Sequence, residues 1–255
     1  MMNEDIIKNI RNFVVKENRN GKLLTNYKVN SDPIRFFKDS GIKVGIDENR
    51  EIILQEETKL ELGGMNKRSF SLIYPITETN LIEDGNITIL GPEIHQISES
   101  SVNFGLFVLI GVKDLSKKIY YDLKSLNLLS NGIEGFSIRT IPRRFWCRIS
   151  KDVYNRNISF EFLSNAIIYL YRQKFKNLIK RMEIFIICSY PDSIDEFIEI
   201  SSKITNKFQE ELKAKIDEWR KRIDCEYDWG CEICPYQEEC YNIKQVLVER
   251  ERIGK

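Results

Sequence analysis

The chain has 255 residues, of which 42% are hydrophobic and 30% charged, a composition typical of a folded protein with a substantial core. Its 39 basic and 38 acidic residues leave a formal net charge of +1, so no overall field would recruit nucleic acid or an anionic membrane. His95 is the single histidine, which argues against histidine-rich metal sites and Ser–His–Asp catalysis.

The start of the chain does not resemble a targeting segment. Residues 1–13 lack the charged, apolar and small-residue order of a signal peptide, and no apolar run reaches the length of a membrane span. We therefore expect a cytoplasmic protein with no membrane partner. In that compartment, clustered cysteines stay reduced and bind metal rather than form disulfides.

Residues 1–48 are predicted to form an N-terminal helical segment. Apolar residues recur there at helical spacing: Ile6, Ile7, Ile10, Phe13 and Val14. A linker is expected next. A second helix should begin at Pro33, because Ser31 and Asp32 are typical of a helix start and proline is favoured in the first turn.

Residues 49–222 are predicted to form an α/β domain that begins with strands. Short β-branched or aromatic runs, separated by glycine-containing turns, lie at 52–54, 59–62, 69–74, 87–90 and 104–112. The last of these runs is almost entirely apolar. We therefore expect that strand to be covered on both faces.

The second half of this domain alternates helices and strands. Helices are predicted at 114–129, at 160–178 and from Pro191 to about residue 222, and strands at 136–141, 145–149 and 182–188. This alternation predicts a mixed α/β (α+β) fold, in which helices flank a mixed sheet. Cys147 and Cys188 lie inside apolar strands and are expected to be buried packing residues.

Residues 223–255 are predicted to form a metal-binding segment, because four of the six cysteines lie in it. Five, two and five residues separate Cys225, Cys231, Cys234 and Cys240. Four thiolates suit a tetrahedral zinc ion or a 4Fe–4S cluster equally well. Zinc modules usually contain two Cys-x-x-Cys pairs, and only one is present here, so we predict a 4Fe–4S cluster, with zinc as the alternative.

Three groups of short motifs follow one another along the chain. They are Leu-Glu-Leu-Gly-Gly at 60–64, Leu-Gly-Pro-Glu-Ile at 90–94 and Trp-Cys-Arg-Ile-Ser-Lys-Asp at 146–152. In this order they resemble the central region of the acetyl-CoA synthase family, the β subunit of the carbon monoxide dehydrogenase/acetyl-CoA synthase complex. Several motifs in one order are more specific than any one motif. The resemblance spans roughly residues 50–240 and implies the central-domain fold of that family.

The resemblance also implies ligands for a metal centre. In the family, a Cys-x-x-Cys pair begins the ligand set of a 4Fe–4S cubane that is bridged to a dinickel site, and Cys231 and Cys234 match this pair. Cys240 stands for a third ligand at a shorter spacing, whereas Cys225 has no family counterpart. The family's downstream Cys-Gly-Cys motif, which holds the distal nickel, is missing from this sequence. We therefore expect a truncated relative that holds the cubane without the nickel pair, and no acetyl-CoA synthesis by this chain alone.

The basic stretch 139–148 provides a second candidate site. It contains Arg143, Arg144, Trp146 and Arg148, and arginines beside an indole can hold phosphates while the indole stacks on adenine. The resemblance implies the same ligand, because the family's matching tryptophan is connected with coenzyme A binding. We predict a coenzyme A site at these four residues. The alternative is a solvated strand face, with Trp146 in the core.

These features lead to two functional hypotheses. The first is an anaerobe-type iron–sulfur protein of one-carbon or acyl-thioester metabolism, or a redox accessory subunit, with a protein partner in such a complex. If it is an enzyme, it is an acyltransferase or oxidoreductase component; the sequence leaves this open. The second is a non-catalytic, zinc- or cluster-stapled interaction module. A nuclease is disfavoured, because no acidic metal constellation or basic charge accompanies the cysteines, and nucleic acid is not an expected partner.

Overall fold

The computed structural model describes residues 2–46, 53–64, 67–124, 129, 132–141, 144–156 and 158–201. Residues Met1–Ser201 form one compact unit, and Ser202–Lys255 form a second, which lies outside the described residues. The boundaries predicted at 48/49 and 222/223 stay predictions. No helix in the described part of the chain is long and apolar enough to cross a membrane.

The larger of two sheets is formed by five strands: β1 (Leu24–Lys28), β3 (Ser69–Ile76), β4 (Asn86–Leu90), β6 (Phe104–Val112) and β9 (Ile179–Cys188). Their spatial order is β1-β4-β9-β6-β3. The pairs β4–β9 and β3–β6 are parallel, whereas β1–β4 and β6–β9 are antiparallel. Every residue of β6 is buried, which confirms that this apolar strand is covered on both faces.

The smaller sheet is formed by four strands: β2 (Thr58–Gly63), β5 (Ser101–Val102), β7 (Phe136–Ile141) and β8 (Arg144–Ser150). Their order is β5-β2-β8-β7, and only the β2–β5 pair is parallel. Successive residues of β8 point to opposite faces. Phe145, Cys147 and Ile149 are buried on the inner face, and Trp146 and Arg148 are half-buried on the outer face.

Helices and the smaller sheet cover the larger sheet. The helices are α1 (Met2–Arg19), α2 (Pro33–Ser40), α3 (Lys117–Lys124), α4 (Lys151–Tyr154) and α5 (Phe160–Lys174), and residues 191–201 are also helical. One core joins β6 with α5 and the inner face of the smaller sheet, as in the cluster containing Val108, Phe145 and Leu163. A second core joins the opposite face of the larger sheet with α1 and the helix at 191–201, through Ile10, Phe107 and Phe197.

The predicted mixed α/β fold is confirmed, since two mixed sheets are flanked by helices. Two strands were missed, the two-residue β5 and β1. β1 occupies the position where the sequence predicted a linker. Its polar residues Thr25, Asn26 and Lys28 conceal the strand pattern, because β1 is an edge strand that is only partly buried. Pairing with β4 over its full length supplies the hydrogen bonds that make it a strand.

The limits of several other predicted elements also differ, such as the helix predicted from residue 114, which begins at Lys117. The helix predicted at 160–178 ends at Lys174, and β9 begins at Ile179, earlier than the predicted 182. Pairing with β6 extends to the Val112–Ile179 pair, so tertiary hydrogen bonding determines where the strand begins. Ile53 and Leu54, predicted as part of a strand, form no regular element.

A buried polar cluster attaches α1 to the helix at 191–201. Glu17 of α1 is 2% exposed and accepts hydrogen bonds from the Lys22 ammonium, the Ser193 hydroxyl and, at 3.2 Å, the Asn20 amide. Burial alone would raise the pKa of Glu17, but the hydrogen bonds from Lys22 and Ser193 and the Lys22 charge outweigh it and lower that pKa. The charged carboxylate is therefore the form that the fold stabilises.

We predict that Glu17→Gln lowers the free energy of unfolding by about 1–3 kcal/mol at pH 7, because Lys22 and Ser193 lose a charged acceptor. A carboxylate whose pKa is lowered on folding stabilises the protein above its unfolded-state pKa of about 4.3, and that contribution is lost as the pH falls through the folded-state pKa. The difference between wild type and variant should thus shrink below about pH 4. Urea unfolding at pH 7 and at lower pH measures both effects.

Glu196→Gln is the matched control, because Lys16 and Glu196 join the same two helices through an ion pair exposed to solvent. Exposed pairs contribute about 0–1 kcal/mol, so this variant should be close to wild type. Equal losses in the two variants, or a Glu17→Gln effect that persists unchanged in acid, would contradict the assignment.

Candidate functional site

The four cysteines predicted to bind a metal, Cys225, Cys231, Cys234 and Cys240, lie outside the described residues, so their ligand role stays a prediction. Within the described ranges, no group of three or more His, Cys, Asp or Glu residues is arranged to hold a metal ion. The remaining cysteines are confirmed as buried packing residues, since Cys147 and Cys188 are both free and buried. Burial raises the pKa of both thiols, that of Cys188 to about 12, which keeps them unreactive.

The outer face of the smaller sheet carries a row of aromatic and charged side chains across three strands. Strand pairing places Arg139 of β7 opposite Trp146 of β8, and Arg148 of β8 opposite Glu61 of β2. We call Glu61, Arg139, Trp146 and Arg148 the tryptophan–arginine face. The inner-face residues of the same strands are apolar and buried, so the alternation of β8 directs Trp146 and Arg148 outward.

Arg148 is held firmly within this face. Its Nε donates to the Glu61 carboxylate at 2.9 Å and its Nη1 donates to the backbone carbonyl of Ile53 at 3.3 Å. The two charged side chains are only 22% and 23% exposed, and the guanidinium lies 4.9 Å from the centroid of the Trp146 ring. Glu61 therefore compensates the charge of Arg148 and fixes its guanidinium against the indole.

Arg139 lies against the same indole in a different environment. Its guanidinium is 5.8 Å from the centroid of the Trp146 ring, within the range of a cation–π interaction. The side chain is exposed and forms no ion pair with any carboxylate in the described part of the chain. Arg139 thus supplies the uncompensated positive charge of the face.

The two glycines that end β2 border the indole. Gly63 has φ +74°, and a Cβ there would overlap the carbonyl oxygen of Phe145, so only glycine fits. That carbonyl also accepts a hydrogen bond from the Ser69 hydroxyl, which in turn accepts from the Phe145 amide at 2.8 Å and so joins the two sheets. A Cβ at Gly64 would lie 3.5 Å from the Trp146 Nε1, a buried donor with no hydrogen-bond partner among the described residues.

The structure brings together part of the predicted coenzyme A site. Trp146 and Arg148 lie side by side on the outer face, so the indole is not confined to the core. Arg143 lies outside the described residues, and Arg144 is placed only by its backbone, as the first residue of β8. Sequence reasoning did not assign roles to Glu61 or Arg139. Only strand pairing shows that both are neighbours of the tryptophan and its arginine.

Glu93 is a further buried carboxylate that the sequence did not single out. It is 6% exposed, and its Oε2 accepts a hydrogen bond of 2.8 Å from the Phe160 amide, at the start of α5. Burial and the Glu93 charge raise the pKa of Tyr27 to about 12 and also raise that of Glu161. This arrangement attaches the turn after β4 to the positive end of the α5 dipole.

The chain is also similar in sequence to a known protein family. The sequence model of the family described as "CO dehydrogenase/acetyl-CoA synthase complex beta subunit" matches residues 41–193. The matched region includes the whole tryptophan–arginine face and ends before the cysteine segment.

Several curated relatives are similar over the same part of the chain. The acetyl-CoA decarbonylase/synthase complex subunit beta of Methanopyrus kandleri is 26% identical over 171 residues, which is 66% of this chain and 36% of the relative. Subunit beta 2 of Methanocaldococcus jannaschii is 26% identical over 200 residues, 78% of this chain and 40% of the relative. The carbon monoxide dehydrogenase/acetyl-CoA synthase subunit alpha of Moorella thermoacetica is 23% identical over 190 residues, 72% of this chain and 25% of the relative. The alignments thus span about a quarter to two fifths of these relatives' lengths.

We predict that Glu61→Ala lowers the free energy of unfolding by about 1–3 kcal/mol, because it leaves the largely buried Arg148 guanidinium without its carboxylate. Glu61→Gln keeps an acceptor for Arg148 and should cost less. Thermal unfolding followed by circular dichroism measures both variants.

Asp39→Ala serves as the control. It breaks the Arg35–Asp39 pair, whose side chains are 79% and 71% exposed, and should change stability by about 0.5 kcal/mol or less. A Glu61→Ala protein as stable as the Asp39→Ala protein would show that Arg148 does not depend on Glu61.

Proposed function

Because this chain belongs to the family of CO dehydrogenase/acetyl-CoA synthase complex beta subunits, we propose that it binds coenzyme A or a coenzyme A thioester on its tryptophan–arginine face. The observation that carries this proposal is that two guanidinium groups lie close to the half-buried Trp146 ring, within the part of the chain that the family matches. The relatives are named as subunits of acetyl-CoA decarbonylase/synthase complexes, and acetyl-CoA is such a thioester.

The chemistry of the face suits the nucleotide end of such a ligand. An indole ring stacks on a purine whatever its substituents, and guanidinium groups bind phosphates through charge-assisted hydrogen bonds. The carboxylate of Glu61 is neutralised by Arg148, so it does not repel an incoming anion with a full charge. The face also lies on strands rather than loops, and this keeps the stacking surface in place before the ligand binds.

We further propose that Cys225, Cys231, Cys234 and Cys240 bind a 4Fe–4S cluster. Four cysteine thiolates within one short segment are a complete donor set for such a cluster, and the single Cys-x-x-Cys pair favours it over zinc. When bound, the cluster would supply electron transfer. Zinc, which would supply only a structural staple, is the competing outcome of the metal analysis.

The role that combines these features is that of a cytoplasmic thioester-binding and redox component of a complex in one-carbon metabolism. The relatives are named as subunits of such complexes, which supports a protein partner for this chain. The alignments cover two fifths or less of these relatives' lengths, and the part of their activity that we propose for this chain is thioester binding and electron transfer.

The cysteine assignment predicts the metal content of protein purified without oxygen. Iron and acid-labile sulfide should be present near cubane stoichiometry, and Cys231→Ala or Cys234→Ala should remove most of both, because each variant deletes a ligand. Cys188→Ala is the matched control, since that cysteine is buried in β9 and should leave the metal content unchanged. Zinc without sulfide in the wild-type protein would indicate a structural zinc site and would contradict the proposed electron transfer.

The tryptophan assignment predicts coenzyme A affinity. Trp146→Leu keeps an apolar side chain but removes the stacking surface, and base–aromatic stacking contributes about 1–3 kcal/mol. The variant should therefore bind coenzyme A about tenfold more weakly by isothermal titration calorimetry. Pantetheine, which lacks the nucleotide, should bind wild type and variant alike. A wild-type protein that does not bind coenzyme A would refute the proposed ligand.

A further inference from the structure

We propose that Arg139 is the residue that binds a phosphate of the coenzyme A nucleotide, whereas Arg148 positions the indole ring. This inference rests on the proposed function, because it assigns the charge that recognises the ligand at the same face. The two arginines have different roles, although both guanidinium groups lie near the same ring, 5.8 Å and 4.9 Å from its centroid.

The donors of Arg148 are already engaged. Its Nε donates to Glu61 and its Nη1 donates to the Ile53 carbonyl, and the ion pair is more than three quarters buried. A phosphate that approached Arg148 would have to compete with the Glu61 carboxylate and the Ile53 carbonyl for its donors. Arg148 is therefore poorly suited to bind an anion and well suited to keep the ring in place.

Arg139 has the opposite properties. It lies on β7, an edge strand of the smaller sheet, where its side chain is exposed and forms no ion pair with a described carboxylate. Direct pairing with Trp146 across the strands holds the guanidinium beside the ring. Its fixed set of donors matches the oxygens of a phosphate.

The strand order separates the charges of the face. In the order β2-β8-β7, Glu61 lies on one side of Trp146 and Arg139 on the other. The positive potential is thus strongest on the β7 side. A nucleotide whose base stacks on the indole gains most when its phosphate is directed toward Arg139. The face should therefore select phosphorylated adenine nucleotides over the pantetheine portion of the ligand.

Isothermal titration calorimetry of the full chain tests the assignment with coenzyme A, 3′-dephospho-coenzyme A and pantetheine. Arg139→Ala should weaken coenzyme A binding by about tenfold, because one charge-assisted hydrogen bond is lost. It should also reduce the dependence of affinity on salt, leave pantetheine binding and thermal stability unchanged, and be partly rescued by Arg139→Lys. If the effect of Arg139→Ala disappears with 3′-dephospho-coenzyme A, Arg139 binds the 3′-phosphate, and if it remains, Arg139 binds the pyrophosphate.

Lys59→Ala is the matched control. Lys59 is an exposed cation on β2 of the same sheet, 5.6 Å from the ring centroid of Tyr154, and its removal should leave the affinity for coenzyme A unchanged. The inference is overturned if wild type binds coenzyme A and Arg139→Ala binds it equally well, and the proposed function then still stands. It is also overturned if Arg139→Ala weakens pantetheine binding as much as coenzyme A binding. A wild-type protein that binds no coenzyme A overturns both the inference and the proposed ligand.

Discussion

The larger sheet is apolar on both faces, and the other elements of the compact unit are arranged to keep water away from both. Every residue of β6 is buried, so a gap in either cover would expose a continuous apolar strand. α5 and the smaller sheet close one face, and α1 with the helix at 191–201 closes the other. α1 is attached to the larger sheet by a polar contact with a buried residue as well as by apolar packing. Arg11 of α1 donates to Glu183 of β9, a carboxylate whose pKa burial raises.

The need to cover both faces of the larger sheet also decides which face of the smaller sheet is open to a ligand. The smaller sheet must turn Phe145, Cys147 and Ile149 toward the larger sheet, because they complete its core. Strand alternation then forces the residues between them outward. The tryptophan–arginine face is thus the outer face of a sheet whose inner face packs in the core. This packing holds the backbone of β8 at Trp146 in place.

Sequence patterns predicted the parts of the fold that burial dictates. The apolar run that became β6 and the alternation in β8 could be identified without neighbours, because each pattern follows from the faces that the strand buries. β1 could not, since its edge position tolerates polar residues and only pairing with β4 makes it a strand. The start of β9 was likewise fixed by its hydrogen bonds to β6 rather than by local preference. The motif around Trp146 was visible in the sequence, but its pairing with Arg139 and the engagement of Arg148 by Glu61 depend on strand register, which one sequence does not specify.

Gly63 and Arg139 differ in how far each position tolerates substitution during evolution. A side chain at Gly63 would collide with the Phe145 carbonyl at the point where Ser69 joins the two sheets, so that corner tolerates almost no substitution. Arg139 lies on an exposed edge strand and packs into no core. Substitutions at Arg139 can therefore change the charge beside the Trp146 ring without disturbing the backbone at Gly63. Ligand preference in such a sheet can diverge among descendants while the fold is conserved.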